Sequence, residues 1–187
     1  MVIQMKLRQM AIALSKLPKH PQNNVSLEQY QTEGDLAALW LTKINAIDPL
    51  KDKTVIDLGA GNGILGYGAM LLGAEVIFVE CDPEAAELCK KLGTTIEGRV
   101  GEIGLPDVDI AISNPPWGFQ IHGADRIFID TSMEIAPVSH IMHSAAATHL
   151  PKGELILEGE FRMPATYSHH KSKMSKTPFR CWRIARG

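Results

Sequence analysis

The chain has 187 residues, 45% of them apolar and 21% charged, with a formal net charge of −2. That length fits one domain at the usual ~100–200 residues per domain, and the composition excludes a chain that is mainly disordered. No apolar run approaches the ~20 residues that span a bilayer, and no signal-peptide pattern follows Met1. Three cysteines without Cys-x-x-Cys spacing (Cys81, Cys89, Cys181) argue against a disulfide framework or zinc site and for a reducing cytoplasm.

In chain order, Met5–Leu17 carries a helical stripe of Leu7, Met10, Ile12, Ala13, Leu14 and Leu17, ended by Pro18 and Pro21. A polar linker over 18–26 follows. Thr32 or Asp35 stands where a cap is needed for a second helix, Leu36–Ile47, which Pro49 closes. Strands and helices then alternate. Thr54–Leu58 reads as a buried strand, 59–63 as a turn and Ile64–Leu72 as a helix. Glu75–Glu80 is the second strand. Asp82 caps a helix with Pro83 in its first turn, running to about Leu92. Thr94–Val100 and Val108–Ser113 are the third and fourth strands, Arg126–Ile135 a helix, and Val138–Met142 the fifth strand. Ala145–Gly153 leaves almost no room for a helix. Glu154–Arg162 and Phe179–Ala185 read as the last two strands, separated by a polar loop.

This alternation predicts an α/β fold: a seven-stranded, mostly parallel sheet with helices on both faces. The last two strands lack the dozen or so residues of a parallel crossover, so they form an antiparallel C-terminal hairpin. The organisation expected is a single domain over 1–187, with an N-terminal helical segment (1–48) and a core (49–187).

Two motifs carry chemistry. In the first, Asp57-Leu-Gly59-Ala-Gly61-Asn62-Gly63-Ile64 leaves a strand and enters a helix. Glycines there permit a tight turn and close backbone approach to a ligand. Glu80, at the end of the next strand, is placed to accept hydrogen bonds from both ribose hydroxyls. Gly61-x-Gly63-x-x-Gly66 also fits the dinucleotide fingerprint. Asp57 counts against NAD, because a carboxylate beside the turn suits a methionyl amino group and repels a pyrophosphate. The chain also has no residues for a separate substrate domain.

The second motif, Asn114-Pro115-Pro116-Trp117, ends the fourth strand. Two prolines fix the backbone and remove two N–H donors. An exocyclic amine is planar because its lone pair is delocalised. Hydrogen bonds to the Asn114 side-chain oxygen and the Pro115 carbonyl favour a pyramidal nitrogen with its lone pair free. Trp117 offers a flat face for stacking on the amine-bearing ring, as flipped bases require.

With these residues the sequence resembles S-adenosylmethionine-dependent methyltransferases of the Rossmann-like class I fold, whose Asn-Pro-Pro-[Phe/Tyr/Trp] motif acts on conjugated amino groups. Leu27-Glu-Gln-Tyr-Gln-Thr32, Asn114-Pro-Pro-Trp-Gly118 and Met163-Pro-Ala-Thr-Tyr-Ser-His-His-Lys171 narrow it. All three look like the archaeal and eukaryotic small-subunit rRNA adenine-N6 methyltransferases, over roughly 25–187. The resemblance implies that Gln29 and Thr32 contact the cofactor, that Gly59, Asn62 and Ile64 line its methionine and ribose side, and that Glu80 holds the ribose. Val100 would pack on the cofactor's adenine. Arg99 departs from the family's Asp at that point, with Glu97 or Glu102 as candidate substitutes. Trp117 replaces the usual Phe. The resemblance also implies a small zinc-binding activator subunit, added at an exposed edge.

Charge bears on the substrate. Residues 161–187 hold seven Lys/Arg and no acid; residues 1–20 hold four and no acid; all 21 acids lie between. If the termini meet, they form one basic surface that suits a phosphate backbone, with His169, His170, Lys171 and Lys173 as candidate RNA contacts. His140 and His143 are i and i+3 in a strand and so face opposite sides, which argues against shared metal ligation. The expected function is N6-methylation of adenine in RNA, most closely small-subunit rRNA. Alternatives are a protein glutamine-N5 methyltransferase, a nucleic-acid-binding module of this fold without turnover, and an NAD oxidoreductase.

Overall fold

The computed structural model describes residues 5–21, 32–117, 123–164 and 174–186, with backbone only for 161–164 and 174–176. Runs of aliphatic residues build seven strands: β1 (Thr54–Leu58), β2 (Glu75–Glu80), β3 (Thr94–Glu97), β4 (Ile110–Ser113), β5 (Val138–Ser144), β6 (Glu154–Pro164) and β7 (Met174–Ala185). The described helices are α1 (Leu7–Ser15), α2 (Gly34–Ile47), α3 (Ile64–Leu71), α4 (Pro83–Lys90) and α5 (Arg126–Ile135). The sheet order is β3-β2-β1-β4-β5-β7-β6. β1 to β5 pair in parallel, and β7 runs antiparallel to both its neighbours. This is the mostly parallel sheet with the C-terminal hairpin that the alternation predicts.

Strand parity distributes the core. On one face, Val55, Ile110, Ile112, Phe78 and Met142 pack with Met10 and Leu14 of α1, Trp40, Leu41 and Ile44 of α2, and Leu65 of α3. On the other, Ile56, Leu58, Val79 and Ala111 pack with Val100, Val108 and Ile135. β5 follows the same rule. His140 meets Asp48 at the end of α2, while His143 meets Asp125 at the start of α5, so the two histidines do point to opposite faces.

Two local expectations are corrected. α2 begins at Gly34 with Glu33 as N-cap and no side-chain cap, so neither Thr32 nor Asp35 caps it. The Thr32 hydroxyl is engaged by Asn114 instead, and Asp35 lies inside the first turn, where its charge complements the helix dipole. The terminal hairpin is also longer than its apolar runs suggest: pairing continues from Phe161↔Thr177 to Pro164↔Met174. Pro178 is tolerated because β5 ends at Ser144, opposite Phe179, so Pro178 lies just past the segment where β7 is flanked on both sides. The Asp82 cap stands as read, accepting from the N–H groups of Glu84 and Ala85. Residues 145–153 hold no helix. Among the described residues, no helix is long and apolar enough to cross a membrane.

A half-buried ion pair ties the helical layer to the hairpin. Arg183 of β7 donates to both Asp48 oxygens, at 2.7 and 2.8 Å, and fully buried His140 reaches the same carboxylate at 2.9 Å. Those bonds hold the Asp48 pKa low. Burial pushes His140 down to about 4, so the ring is neutral. Asp48→Ala is expected to cost about 1–3 kcal/mol, since it strands a buried partner, read as a lower urea midpoint at unchanged slope. The sign of the His140 effect follows from linkage. From its ordinary 6.5 down to about 4, the unfolded chain takes up a proton that the folded one refuses. Stability therefore drops as pH is lowered from 6.5 to about 4, and His140→Gln flattens the drop.

Candidate active site

Ligands of open α/β sheets bind beyond the carboxyl ends of the strands. β1, β2 and β4 are neighbours ending at Leu58, Glu80 and Ser113, and the Ser113 hydroxyl donates to the Leu58 carbonyl at 2.8 Å. The glycine turn and the Asn-Pro-Pro-Trp segment therefore start side by side.

The turn needs its glycines. Gly59, Gly61 and Gly63 have φ of +73°, +58° and +80°, the left-handed region that a Cβ disfavours. Gly66 answers a different demand: a Cβ there would stand 2.3 Å from Phe78 Cε1, so its absence lets α3 lie against β2. Backbone bonds pin the turn to the second strand, with Gly59 and Ala60 N–H both donating to the Val79 carbonyl at 2.9 Å. Glu80 is buried. It accepts from Gly61 N–H at 2.7 Å and from Asp82 N–H at 2.8 Å, one on each oxygen. Each oxygen keeps a further lone pair for a ligand hydroxyl.

Asp57 lies beneath the turn, 1% exposed. Its Oδ2 accepts from Gly66 N–H at 2.8 Å, and its Oδ1 is buried without a hydrogen-bond partner among the described residues. Burial pushes its pKa up to about 7, against the Gly66 bond, and the Glu80 charge pushes the same way. A buried, half-satisfied carboxylate is costly, and a ligand ammonium would satisfy it. Asp57, the glycine turn and Glu80 thus fit the amino-acid and ribose ends of S-adenosylmethionine.

The other turn residues are packed rather than open. Asn62 donates from Nδ2 to the Pro18 carbonyl at 2.9 Å. A Cβ on Gly61 would meet His20 at 3.5 Å, so the segment after α1 crosses the turn, a contact the sequence does not signal. Ile64 and Val100 are buried in the two apolar layers. Arg99 is exposed, and Glu97 pairs with Lys90 at 2.9 Å. Cys89 lies under the turn with its thiol 3.4 Å from the Gly61 carbonyl. All three cysteines are free.

In the second motif, Trp117 Nε1 donates to Asn114 Oδ1 at 3.1 Å, and Asn114 Nδ2 donates to Thr32 Oγ1 at 3.2 Å. Thr32, read from the sequence as a cofactor contact, is placed here on Asn114. The Trp117 and His143 rings stack with centroids 6.0 Å apart, 21° from parallel. His143 in turn reaches Asp125 Oδ2 at 2.8 Å, and His149 reaches the same oxygen. Burial pulls the His143 pKa down. Burial also opposes ionisation of Asp125, but the His149 hydrogen bond and the two imidazoles outweigh it and hold that pKa low. The ligand-type atoms of this trio lie within 4.8 Å of one another, yet 2.8 Å is hydrogen-bond spacing, shorter than the ~3.3 Å between two ligand atoms of a tetrahedral zinc.

The basic C-terminus is partly consumed by the fold. Arg183 binds Asp48, Arg180 lies 3.4 Å from Glu158, and Arg186 donates to the Met133 and Glu134 carbonyls. Gln29 and the candidate RNA contacts His169, His170, Lys171 and Lys173 lie outside the described residues.

No protein-family model matches the chain. Among solved structures, PH1948 from Pyrococcus horikoshii, assigned as an RNA methyltransferase, aligns with a TM-score of 0.84 at 32% identity, covering 98% of this chain and 99% of that one. With the rim just described, that likeness defines a Rossmann-like class I methyltransferase. The uncharacterized protein MJ0284 of Methanocaldococcus jannaschii is 32% identical over 96% of this chain and 94% of its own length. The rRNA N(6)-adenosine-methyltransferase METTL5 of Danio rerio is 28% identical over 90% of this chain and 93% of its own. The chain belongs to the family of S-adenosylmethionine-dependent methyltransferases that holds these proteins.

Asp57→Asn tests the buried carboxylate. From 3.8 up to about 7 the unfolded chain has released a proton that folded Asp57 retains, so its contribution to stability declines as pH rises through that window. Asn keeps an acceptor for Gly66 and carries no charge. At pH 8 the variant is expected to be about 1–3 kcal/mol more stable than the parent without ligand, with little difference at pH 4, and to bind S-adenosylhomocysteine more weakly. Urea titrations at both pH values and calorimetry check this.

Proposed function

We propose that the protein methylates the N6 amino group of an adenine in ribosomal RNA, most closely small-subunit rRNA. The observation that carries the reading is the Asn114 carboxamide, held on the rim between Thr32 and Trp117, beside the glycine turn and Glu80. S-adenosylmethionine, when bound, supplies a methyl group on a sulfonium that already contains its leaving group. The chain's residues then have three tasks. Glu80 accepts from the ribose hydroxyls and Asp57 from the amino group. Asn114 Oδ1 and the Pro115 carbonyl accept from the adenine amine and favour a pyramidal nitrogen. Trp117 stacks on the base. Orientation and hydrogen bonding then suffice without a strong base.

Several relatives carry the name rRNA N(6)-adenosine-methyltransferase, which favours adenine over the glutamine amide, a group with the same planar amine. β6 runs parallel to the core strands, so its carboxyl end at Pro164 points to the same rim as Asn114. The segment beyond it carries His169, His170, Lys171 and Lys173, which we assign to the RNA backbone. The small zinc-binding activator belongs to the same reading, with β6, at one end of the sheet, as an edge open to strand addition.

Asn114→Ala is expected to abolish single-turnover methylation while keeping most affinity for S-adenosylhomocysteine. Glu80→Ala is expected to weaken that affinity by ~1–3 kcal/mol through the loss of charge-assisted bonds. Nucleoside mass spectrometry of rRNA with and without the gene identifies the product, and methylated glutamine with unmodified adenine sinks the RNA reading. Lys171→Ala with Lys173→Ala should reduce the salt slope of stem-loop binding by ~1–2, about one for each phosphate that a lysine no longer neutralises.

A further inference from the structure

Asp125 is the N-cap residue of α5, yet its side chain makes no capping bond. Its backbone is already helical (φ −72°, ψ −28°) rather than in the extended conformation from which a cap side chain reaches the first-turn N–H groups, so the carboxylate makes other bonds. Here the carboxylate is 2% exposed and turns instead to two imidazoles, buried His143 and half-exposed His149. His143 stacks its ring on Trp117, and Trp117 donates to Asn114. An unbroken run of contacts thus leads from the surface at His149, through Asp125 and His143, to the two side chains assigned to the reacting amine.

We propose that Asp125 and His143 are positioning residues for methyl transfer: the carboxylate orients the His143 ring, and that ring holds the Trp117 indole where it both receives the base and reaches Asn114. This rests on the adenine-N6 reading for its consequence, but not for its geometry. The two prolines before Trp117 fix the chain that leads to it, and its side-chain angles then decide where the ring stands. A parallel neighbour bolted to a buried carboxylate limits those angles. The buried Asp125 carboxylate spends its bonds on the two imidazoles, and through His143 they lead to Trp117.

The test separates geometry from catalysis. In nitrogen-15 spectra, the indole signals of Trp40, Trp117 and Trp182 are distinct probes, with Trp117 assigned by its disappearance in Trp117→Phe. Asp125→Asn and His143→Ala are expected to move the Trp117 signal and leave Trp40 unmoved, with the Asp125 effect transmitted through the His143 ring. Both should lower kcat on RNA by roughly ten-fold, with affinity for S-adenosylhomocysteine within about two-fold of the parent, because the side chains they position meet the base and not the cofactor. His143→Phe, which keeps a ring but cannot bond Asp125, should recover part of the rate that His143→Gln does not. His149→Ala changes a half-exposed residue and guards against a folding defect; it should shift Trp117 in the same direction by less. An unmoved Trp117 signal in these variants overturns the proposal, as does an unchanged kcat. If the parent transfers no methyl to RNA at all, the adenine reading fails, while the spectra still decide whether Asp125 and His143 orient Trp117.

Discussion

The Glu80 carboxylate ties together the end of one strand and the turn after another. Its two oxygens take the N–H groups of Gly61 and Asp82, so the β1 turn, the end of β2 and the cap of α4 move as one body. That pin joins the Gly59 and Ala60 bonds to the Val79 carbonyl in ordering a turn of three left-handed glycines, residues with more backbone freedom to lose on ordering than any other. With it, the backbone amides, Asp57 and the carboxylate stand in fixed relation. The same group that would bind ribose thus first builds the place where ribose would sit. Loss of Glu80 therefore removes two contributions, a ligand contact and the order of the turn, and the two do not separate in one binding constant.

Elements whose boundaries coincide with a change of periodicity are readable from the chain. β1, β2 and α5 begin and end at the residues that period two or period 3.6 assigns, because Gly59, Asp82 and Pro137 punctuate them. The end of the hairpin is not readable. Glu160 opposite Pro178 and Arg162 opposite Lys176 are residues with no strand preference, and only the register set by Trp182 and Phe179 against β5 and β6 makes them pair. The two motifs are legible because their residue types are dictated by backbone geometry and by donor and acceptor needs. Their supports are not. Thr32 lies 82 positions from Asn114, and His143 lies 18 from Asp125. Nothing in the sequence signals that Asp125 bonds His143.

Charge teaches a similar lesson. An acid-free stretch of seven basic residues reads as one binding surface, yet Arg183 lies inside the fold against Asp48, and Arg186 closes the end of α5 through two carbonyls. A planar guanidinium with five donors is suited to these internal junctions. Arg180 lies beside Glu158. Of the other four, Lys171 and Lys173 fall between β6 and β7 in the sequence, and Arg162 and Lys176 are register partners on those strands. The electrostatic case for RNA is therefore narrower than composition suggests, and it falls on fewer residues.

On the resemblance drawn from the sequence, Trp117 stands in place of a phenylalanine. A phenylalanine at this place stacks and does nothing else. An indole also donates, and here it donates to Asn114 Oδ1, the oxygen assigned to the substrate amine. The carboxamide is therefore satisfied on both ends, by Trp117 and by Thr32, and no half-buried amide waits unpaired. On the adenine reading, an incoming amine either shares that oxygen through its second lone pair or replaces the indole donor. In either case one N–H is met by another, so the polar cost of admitting the base is small. What the exchange requires is that the indole stay within reach of both positions. The stacked His143 ring, fixed by Asp125, limits it to that range.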